Sequence, residues 1–218
     1  MKNENLSTIA DLRRELATRD AFLARVSAGL DARIAALGSC TCEGVAALRG
    51  FARELAIISG REDARMPRRE RLNVGDCIEG CIQQWTAQMP MPREEFPLLH
   101  VQRIGELGGS FDAAHIETML MELLSNAFKY GAGKPVSLRI EGRGDFVRIV
   151  VEDEGAGIAP RARIGQRFVR GRETKEKPGF GVGVWLVRTL AQASGGTFRL
   201  SRRPGGGTRA TVTLPRDC

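Results

Sequence analysis

The chain lacks the features that membrane-spanning and secreted proteins need. No run of eighteen consecutive apolar residues occurs among its 218 residues, which excludes a transmembrane helix in this sequence. The first residues lead into a charged stretch without an apolar core, so they do not read as a secretory signal. We therefore expect a cytoplasmic protein.

Aromatic residues are scarce, at 6% of the chain, and do not alternate with basic residues. A surface that stacks nucleic-acid bases is therefore not expected. Apolar residues make up 42% and charged residues 27%, which is typical of a globular domain and excludes wholesale disorder. The 33 lysines and arginines outnumber 26 acidic residues, and this net charge of +7 favours anionic partners, namely nucleotide phosphates, an acidic protein face or nucleic acid. Nucleic acid is not expected as a partner, because no groove-binding motif accompanies the basic residues.

Cysteine and histidine are also few. The cysteines are Cys40, Cys42, Cys77, Cys81 and Cys218. An odd number without a secretion signal indicates reduced thiols rather than a disulfide framework. The first four form two closely spaced pairs that resemble zinc half-sites, but the two histidines, His100 and His115, lie near neither pair, so a zinc site is not expected.

Residues 7–64 contain no proline and predict two amphipathic helices. Apolar residues three, four and seven positions apart form one stripe before the break at 38–44 and a second stripe after it. An antiparallel hairpin of two such helices leaves its stripes exposed unless a second hairpin covers them. We therefore interpret residues 1–66 as a dimerisation hairpin that forms a four-helix bundle in a homodimer.

Residues 67–218 predict an α/β sandwich, with a mixed sheet and helices on one face. Ser110 or Asp112 is expected to cap a long helix that ends near Tyr130. His100 lies in a predicted strand, and its side chain is expected to pack in the core of the domain. The other expected elements are helices at 74–85 and 184–194, and strands near 98–101, 136–140, 146–151, 197–201 and 208–214. The predicted fold class is thus α+β, a helical hairpin followed by this sandwich.

Four polar residues share one face of the long helix. Glu122, Asn126, Lys129 and Tyr130 stand at i, i+4, i+7 and i+8, beside an apolar opposite face. A solvated helix face accounts for the charges alone, but it accounts less well for Asn126 within an apolar run. This face is a candidate binding site.

A strand runs directly into Asp153-Glu154-Gly155-Ala156-Gly157. The two glycines free the backbone for close approach to a ligand, although an ordinary acidic turn would look the same in isolation. Further along, Gly179, Gly181 and Gly183 open a helix, where backbone amides can bind phosphates. These glycines do not follow a strand, so the dinucleotide fingerprint is not met.

Together these segments resemble the ATP-binding domain shared by sensor histidine kinases, DNA gyrase, the large heat-shock chaperone ATPases and mismatch-repair ATPases. The resemblance covers about residues 72–216 and is of the histidine-kinase kind. Its motifs are Asn-Ala-x-Lys-Tyr on the helix, Asp-Glu-Gly-x-Gly-Ile after the strand, Arg-Phe-Val-Arg-Gly in the next loop and Gly-x-Gly-x-Gly-Val-x-Leu-Val before the last helix. The closing Gly-Gly-Thr and Gly-Gly-Gly-Thr segments resemble that family's last hairpin.

The resemblance implies a role for each matching position. Asn126 would hold Mg²⁺ against the triphosphate of ATP, Lys129 would contact phosphate and Tyr130 would lie near the nucleotide. Asp153 would accept a hydrogen bond from the adenine amino group. Two glycines would let the backbone approach the base: Gly155 and Gly157. Three others would contact the phosphates through the backbone: Gly179, Gly181 and Gly183.

Residues 164–178 would form a lid over the nucleotide. Basic lid side chains that would meet the γ-phosphate are Arg167, Arg170, Arg172, Lys175 and Lys177. A lid that is simply basic and solvated explains the same composition, so both interpretations remain open. Gly165 stands where the family usually has a phenylalanine, which leaves Phe168 as the lid's anchor.

In this family the helical hairpin carries the phosphorylated histidine. Residues 19–27 resemble the lead-in to that motif, but Ala28 stands at the expected histidine position, and the neighbouring acid and proline are also missing. Removal of a histidine by engineering would explain one of these three losses, so natural degeneration is favoured. The chain is predicted to have no acceptor histidine of its own.

Three functions remain open on the sequence. The first is a histidine-kinase-type phosphotransferase of a two-component system, whose acceptor lies on another protein. The second is a pseudokinase that binds ATP, and docks a response regulator or a true histidine kinase. The third is an ATPase in which Glu122 is the general base, as the corresponding carboxylate serves in gyrase-like relatives.

Overall fold

A computed structural model describes residues 66–87, 98–158 and 182–216. All of them belong to one structural unit that begins at Met66. The predicted dimerisation hairpin and the predicted lid lie outside the described residues. The elements, in chain order, are β1 (Glu70–Asn73), α1 (Val74–Ala87), β2 (Leu99–Ile104), β3 (Gly108–Phe111), α2 (Ala113–Tyr130), β4 (Val136–Arg143), β5 (Phe146–Glu152), α3 (Gly183–Ala193), β6 (Thr197–Arg202) and β7 (Thr208–Pro215).

The main sheet has five strands in the order β2-β4-β5-β7-β6. β2 is parallel to β4, with Val101 opposite Leu138, and the other three pairings are antiparallel. β1 and β3 form a separate antiparallel pair, with Leu72 opposite Gly109. The sheet is mixed, as the sequence predicts.

The helix α2 begins where the sequence predicts, at Asp112. The Asp112 side chain accepts a hydrogen bond from the His115 N–H at 2.8 Å, which satisfies one of the unpaired amides of the first turn. At the other end, the Gly131 N–H donates to Ala127 O at 2.7 Å. Apolar residues at helical spacing bury one side of α2: Ile116, Met119, Leu120, Leu123, Leu124 and Ala127.

The core lies between α2 and α3 and one face of the main sheet. Strand residues alternate between the core and the opposite face, because successive side chains of a strand point in opposite directions. Leu186, Val187 and Leu190 of α3 are buried against this face. The strand residues that are buried on it are Val136, Leu138, Ile140, Val147, Ile149, Val151, Ala210, Val212 and Leu214.

His100 does not lie in the core, and this expectation from the sequence is wrong. It is exposed on β2, which is an edge strand, and it pairs with Ser137 rather than with a core residue. A short apolar run predicts a strand but not whether neighbouring strands cover it on both sides. β2 is instead anchored by Arg103, which forms ion pairs with Asp76 and Glu79 of α1.

Candidate functional site

The four polar residues of α2 lie toward its carboxyl end, and each is half-buried. Burial raises the pKa of the Glu122 carboxyl, and the positive charge of Lys129 partly opposes that shift. A carboxyl whose pKa lies above its usual range is better suited to accept a proton near neutral pH than an exposed one.

The first residue of α3, Gly183, lies directly against this face. A β-carbon built on Gly183 would overlap the Glu122 carboxylate and would lie 3.6 Å from Asn126 Nδ2. Val182 precedes the helix and forms no side-chain cap hydrogen bond. Helix amino ends attract anions, because the unpaired amides and the helix dipole both favour negative charge.

Asp153 is buried, with 5% of its surface exposed, immediately after β5. Its Oδ1 accepts hydrogen bonds from the N–H groups of Gly155, at 2.9 Å, and Thr208, at 3.2 Å. Its own N–H donates to Thr208 O at 3.0 Å. Among the described residues no donor contacts Oδ2. One carboxylate oxygen is thus fixed by the backbone.

Glycines let the Asp153 loop contact its neighbours at backbone distance. A β-carbon on Gly155 would overlap Tyr130 O, and one on Gly207 would overlap Asp153 O. Gly157 has φ +75° and lies beside Gly207 O, at 2.8 Å from the position of a β-carbon. These contacts join the carboxyl end of α2, the Asp153 loop and the β6–β7 turn into one site.

The structure brings together most of the residues that the sequence singles out. Glu122, Asn126 and Gly183 meet in one place, and Tyr130, Asp153 and Gly155 meet beside it. Gly179, Gly181, Arg170 and the other lid residues lie outside the described part of the chain. Gly207 and Thr208 also belong to this site without a role predicted from the sequence, although the triple glycine before Thr208 is a signal for such a close turn.

Within residues 66–87, 98–158 and 182–216, no group of three or more His, Cys, Asp or Glu side chains is placed to hold a metal ion. Over the same residues, no helix is long and apolar enough to span a bilayer. A metal at this site would therefore depend on ligands from the bound molecule and on water. Mg²⁺ is commonly held in this way by one or two protein side chains and the phosphates of a nucleotide.

Comparison with known proteins identifies the domain. Residues 111–217 match the family described as histidine kinase-, DNA gyrase B-, and HSP90-like ATPase. The sensor-like histidine kinase SenX3 of Mycobacterium bovis is 37% identical over 109 residues, which is 48% of this chain and 27% of SenX3. The sensor protein kinase CarS of Pseudomonas aeruginosa is 35% identical over 149 residues, which is 65% of this chain and 33% of CarS.

A solved structure shares the fold. The mycobacterial sensor histidine kinase MprB superposes with a TM-score of 0.56 and 22% identity, covering 67% of this chain and 97% of the solved chain. This chain spans about a third or less of the length of the curated relatives named here. The matched family and the shared fold both fall on the unit that contains Asp153 and Asn126. Residues 111–217 therefore form a domain of the histidine kinase-, DNA gyrase B- and HSP90-like ATPase family, and this domain is similar to the catalytic ATP-binding domain of sensor histidine kinases.

Proposed function

We propose that this protein binds ATP with Mg²⁺ and transfers the γ-phosphoryl group to an acceptor on another protein of a two-component system. One observation supports this proposal above the others. The buried Asp153 carboxylate, held by two backbone amides, lies in the same site as Asn126 and the amino end of α3. A base-recognising group and a phosphate-attracting helix end thus occupy neighbouring positions.

In this proposal Asp153 selects the base. A buried carboxylate accepts from an exocyclic amino group, and rejects a base that presents a carbonyl at the same position, because two acceptors would then face each other. Gly155 and Gly157 let the loop that carries Asp153 pack at backbone distance from Tyr130 O and Gly207 O, and this packing would hold the loop beside the base. Tyr130 would line the same end of the nucleotide.

At the phosphate end of the nucleotide, Asn126 would be the protein ligand of Mg²⁺, through its side-chain carbonyl oxygen. When bound, Mg²⁺ neutralises charge on the phosphates. Lys129 would contact a phosphate oxygen, and Gly183 would present backbone amides of α3 to the phosphates. Arg170, Gly179 and Gly181 would complete the set from the lid and the glycine-rich segment. Their roles rest on the family resemblance.

A second candidate function, ATP hydrolysis, is favoured by one observation at Glu122. Its carboxyl lies beside Gly183 and has a pKa raised by burial, as a general base that activates water requires. Glu122 would take the proton of a water that attacks the γ-phosphorus. In the phosphotransfer reaction the same carboxylate would take the proton of the acceptor.

The acceptor and the partners follow from the sequence of the hairpin. Ala28 has no nucleophilic atom, so the chain would not phosphorylate itself at the position that the family uses. The phosphoryl group would pass to a response regulator or to another histidine kinase. Residues 1–66 would form the homodimer, and the protein would act in the cytoplasm. A pseudokinase that only binds ATP and docks such a partner is the alternative.

Incubation of the purified full chain with γ-labelled Mg·ATP separates these functions. Label that moves to an added response regulator or kinase, and disappears with Asp153→Asn, supports phosphotransfer. Release of labelled phosphate without a partner, abolished by Glu122→Gln, supports hydrolysis. Tight binding with neither product supports the pseudokinase. Absence of nucleotide binding contradicts all three.

A further inference from the structure

Cys77 and Cys81 are free thiols that the nucleotide site does not use. They lie one turn apart on α1, and both are half-buried. We propose that they form a dithiol site that binds one soft, thiophilic metal or metalloid centre between the two sulfur atoms. The proposal is independent of the nucleotide chemistry.

Helix geometry favours a bridged centre over a disulfide. Side chains at i and i+4 have β-carbons about 5–6 Å apart, whereas a disulfide needs about 3.5–4.5 Å. Closing a disulfide would therefore distort α1. A metal–thiolate bond is about 2.3 Å long, so two sulfurs on one centre lie roughly 4 Å apart. Two side chains one helical turn apart can reach that separation without a change in the helix.

The number of protein ligands, two thiols, limits which metal or metalloid centres the site can bind. The described residues contain no cluster of three or more metal-binding side chains, so nothing there completes a tetrahedral zinc site. Thiolates select soft centres. A centre that two thiolates satisfy, such as Cu(I) or a monosubstituted trivalent arsenical, fits this pair.

The two thiols are inequivalent. The Cys81 S–H donates to Cys77, and this bond lowers the pKa of the Cys77 thiol. The same bond and burial raise the pKa of Cys81. Cys77 is therefore the thiol that ionises first and attacks first, since the thiolate is the nucleophile.

With phenylarsine oxide as the probe, the reaction balances without an oxidant or a reductant. Two arsenic–sulfur bonds form and the arsenic–oxygen bond breaks. The two thiol protons leave with the oxygen as one water, and arsenic stays trivalent.

The side of α1 that carries the two thiols also carries a tryptophan, whose fluorescence can report binding. Trp85 follows Cys81 by four residues on the same side of α1, and its ring stacks on Phe128 of α2 with centroids 5.1 Å apart. A heavy centre bound at Cys81 would lie next to this indole. The fluorescence of Trp85 should therefore change when the dithiol is occupied.

The test uses the full chain with Cys40, Cys42 and Cys218 replaced by serine and with Trp185→Phe, which leaves Trp85 as the only indole. We expect one equivalent of phenylarsine oxide to bind and to change Trp85 fluorescence. Adding Cys77→Ala or Cys81→Ala should weaken binding about 100-fold or more, because the second bond no longer benefits from proximity. Equal affinity of the parent and either single variant would overturn the proposal.

A second measurement needs no substitution at the pair. Phenylarsine oxide should protect both thiols of the parent from a maleimide, as mass spectrometry of the peptide containing residues 77–81 would report. Labelling of both thiols at the unprotected rate would contradict the site. Excess Zn²⁺ should give no comparable protection. Protection by Zn²⁺ at one equivalent would overturn the two-ligand assignment.

Discussion

Gly183 lies against the Glu122 carboxylate so closely that no side chain larger than hydrogen fits between them. The contact joins the first residue of α3 to the middle of α2, 61 positions earlier in the chain. It places a carboxyl of raised pKa at the end of a helix that attracts anions.

Replacing Gly183 by alanine should displace the Glu122 side chain without unfolding the domain. The overlap falls on the end of a flexible side chain rather than on backbone, and alanine is a better helix former than glycine. We expect ATP turnover to fall about tenfold or more while the melting temperature changes little. Gly80→Ala on α1 is the matched control, because its β-carbon meets no atom within 4 Å. Equal turnover in both variants would show that the contact has no functional role.

Replacing Asp153 by asparagine should weaken ATP binding by about 1.5–3 kcal/mol, or roughly ten- to a hundredfold, through loss of a charge-assisted acceptor. Isothermal calorimetry measures this change. Glu154→Gln is the control, because Glu154 is the exposed neighbour and pairs with Arg203. A variant of Asp153 with the affinity of the parent chain would disprove the base-binding assignment.

The stability of the domain should depend on pH through Glu122. Burial raises the pKa of Glu122 in the folded chain, so the folded state holds its proton more tightly than the unfolded state. The free energy of unfolding therefore falls as the pH rises above about 4.3, the ordinary pKa of glutamate. It stops falling once the pH exceeds the raised pKa of Glu122 in the folded chain. Glu122→Gln should remove this component. Its melting temperature should exceed that of the parent at pH 7, and the gap should close near pH 4. A gap that widens toward low pH would reverse the sign of the effect.

The cap of α2 gives a prediction about stability alone. The buried Asp112 side chain accepts from the N–H groups of His115 and Arg68. Asp112→Ala should cost about 2 kcal/mol, at the upper end for a helix cap, because two donors lose their acceptor. Asp112→Asn retains an acceptor oxygen for one of the two donors but not for the other, so it should cost about half as much in urea unfolding. Similar losses in both variants would mean that charge, rather than capping, stabilises this end.

The sequence predicts local features of this domain better than its edges. The periodic apolar residues of α2 and the alternation of β4 and β5 are strong signals, and both elements are confirmed. The sequence pattern does not predict β3, because Gly-Gly-Ser-Phe has little strand propensity. This strand forms through its pairing with β1. His100 was misplaced for a related reason, since exposure at an edge strand depends on which strands are neighbours.

The site shows the same division between local and long-range information. The spacing of Glu122, Asn126 and Tyr130 predicts a common helix face, and the structure has it. The bond from the Thr208 N–H to Asp153 joins residues 55 positions apart, and no local pattern contains it. The family resemblance indicates the order of the motifs along the chain. The backbone contacts of Gly155 and Gly207 cannot be predicted from that order, because they depend on the three-dimensional fold.

The two amides that hold Asp153 have a consequence for the kinetics of recognition. The carboxylate is oriented by Gly155 and Thr208 within the folded domain, so its rotamer does not have to be selected after a ligand arrives. A preorganised group of this kind avoids an entropic cost of about 0.5–1.5 kcal/mol on binding. Association at the base end should then proceed as rigid docking, and any slow step in nucleotide capture would have to arise elsewhere in the chain.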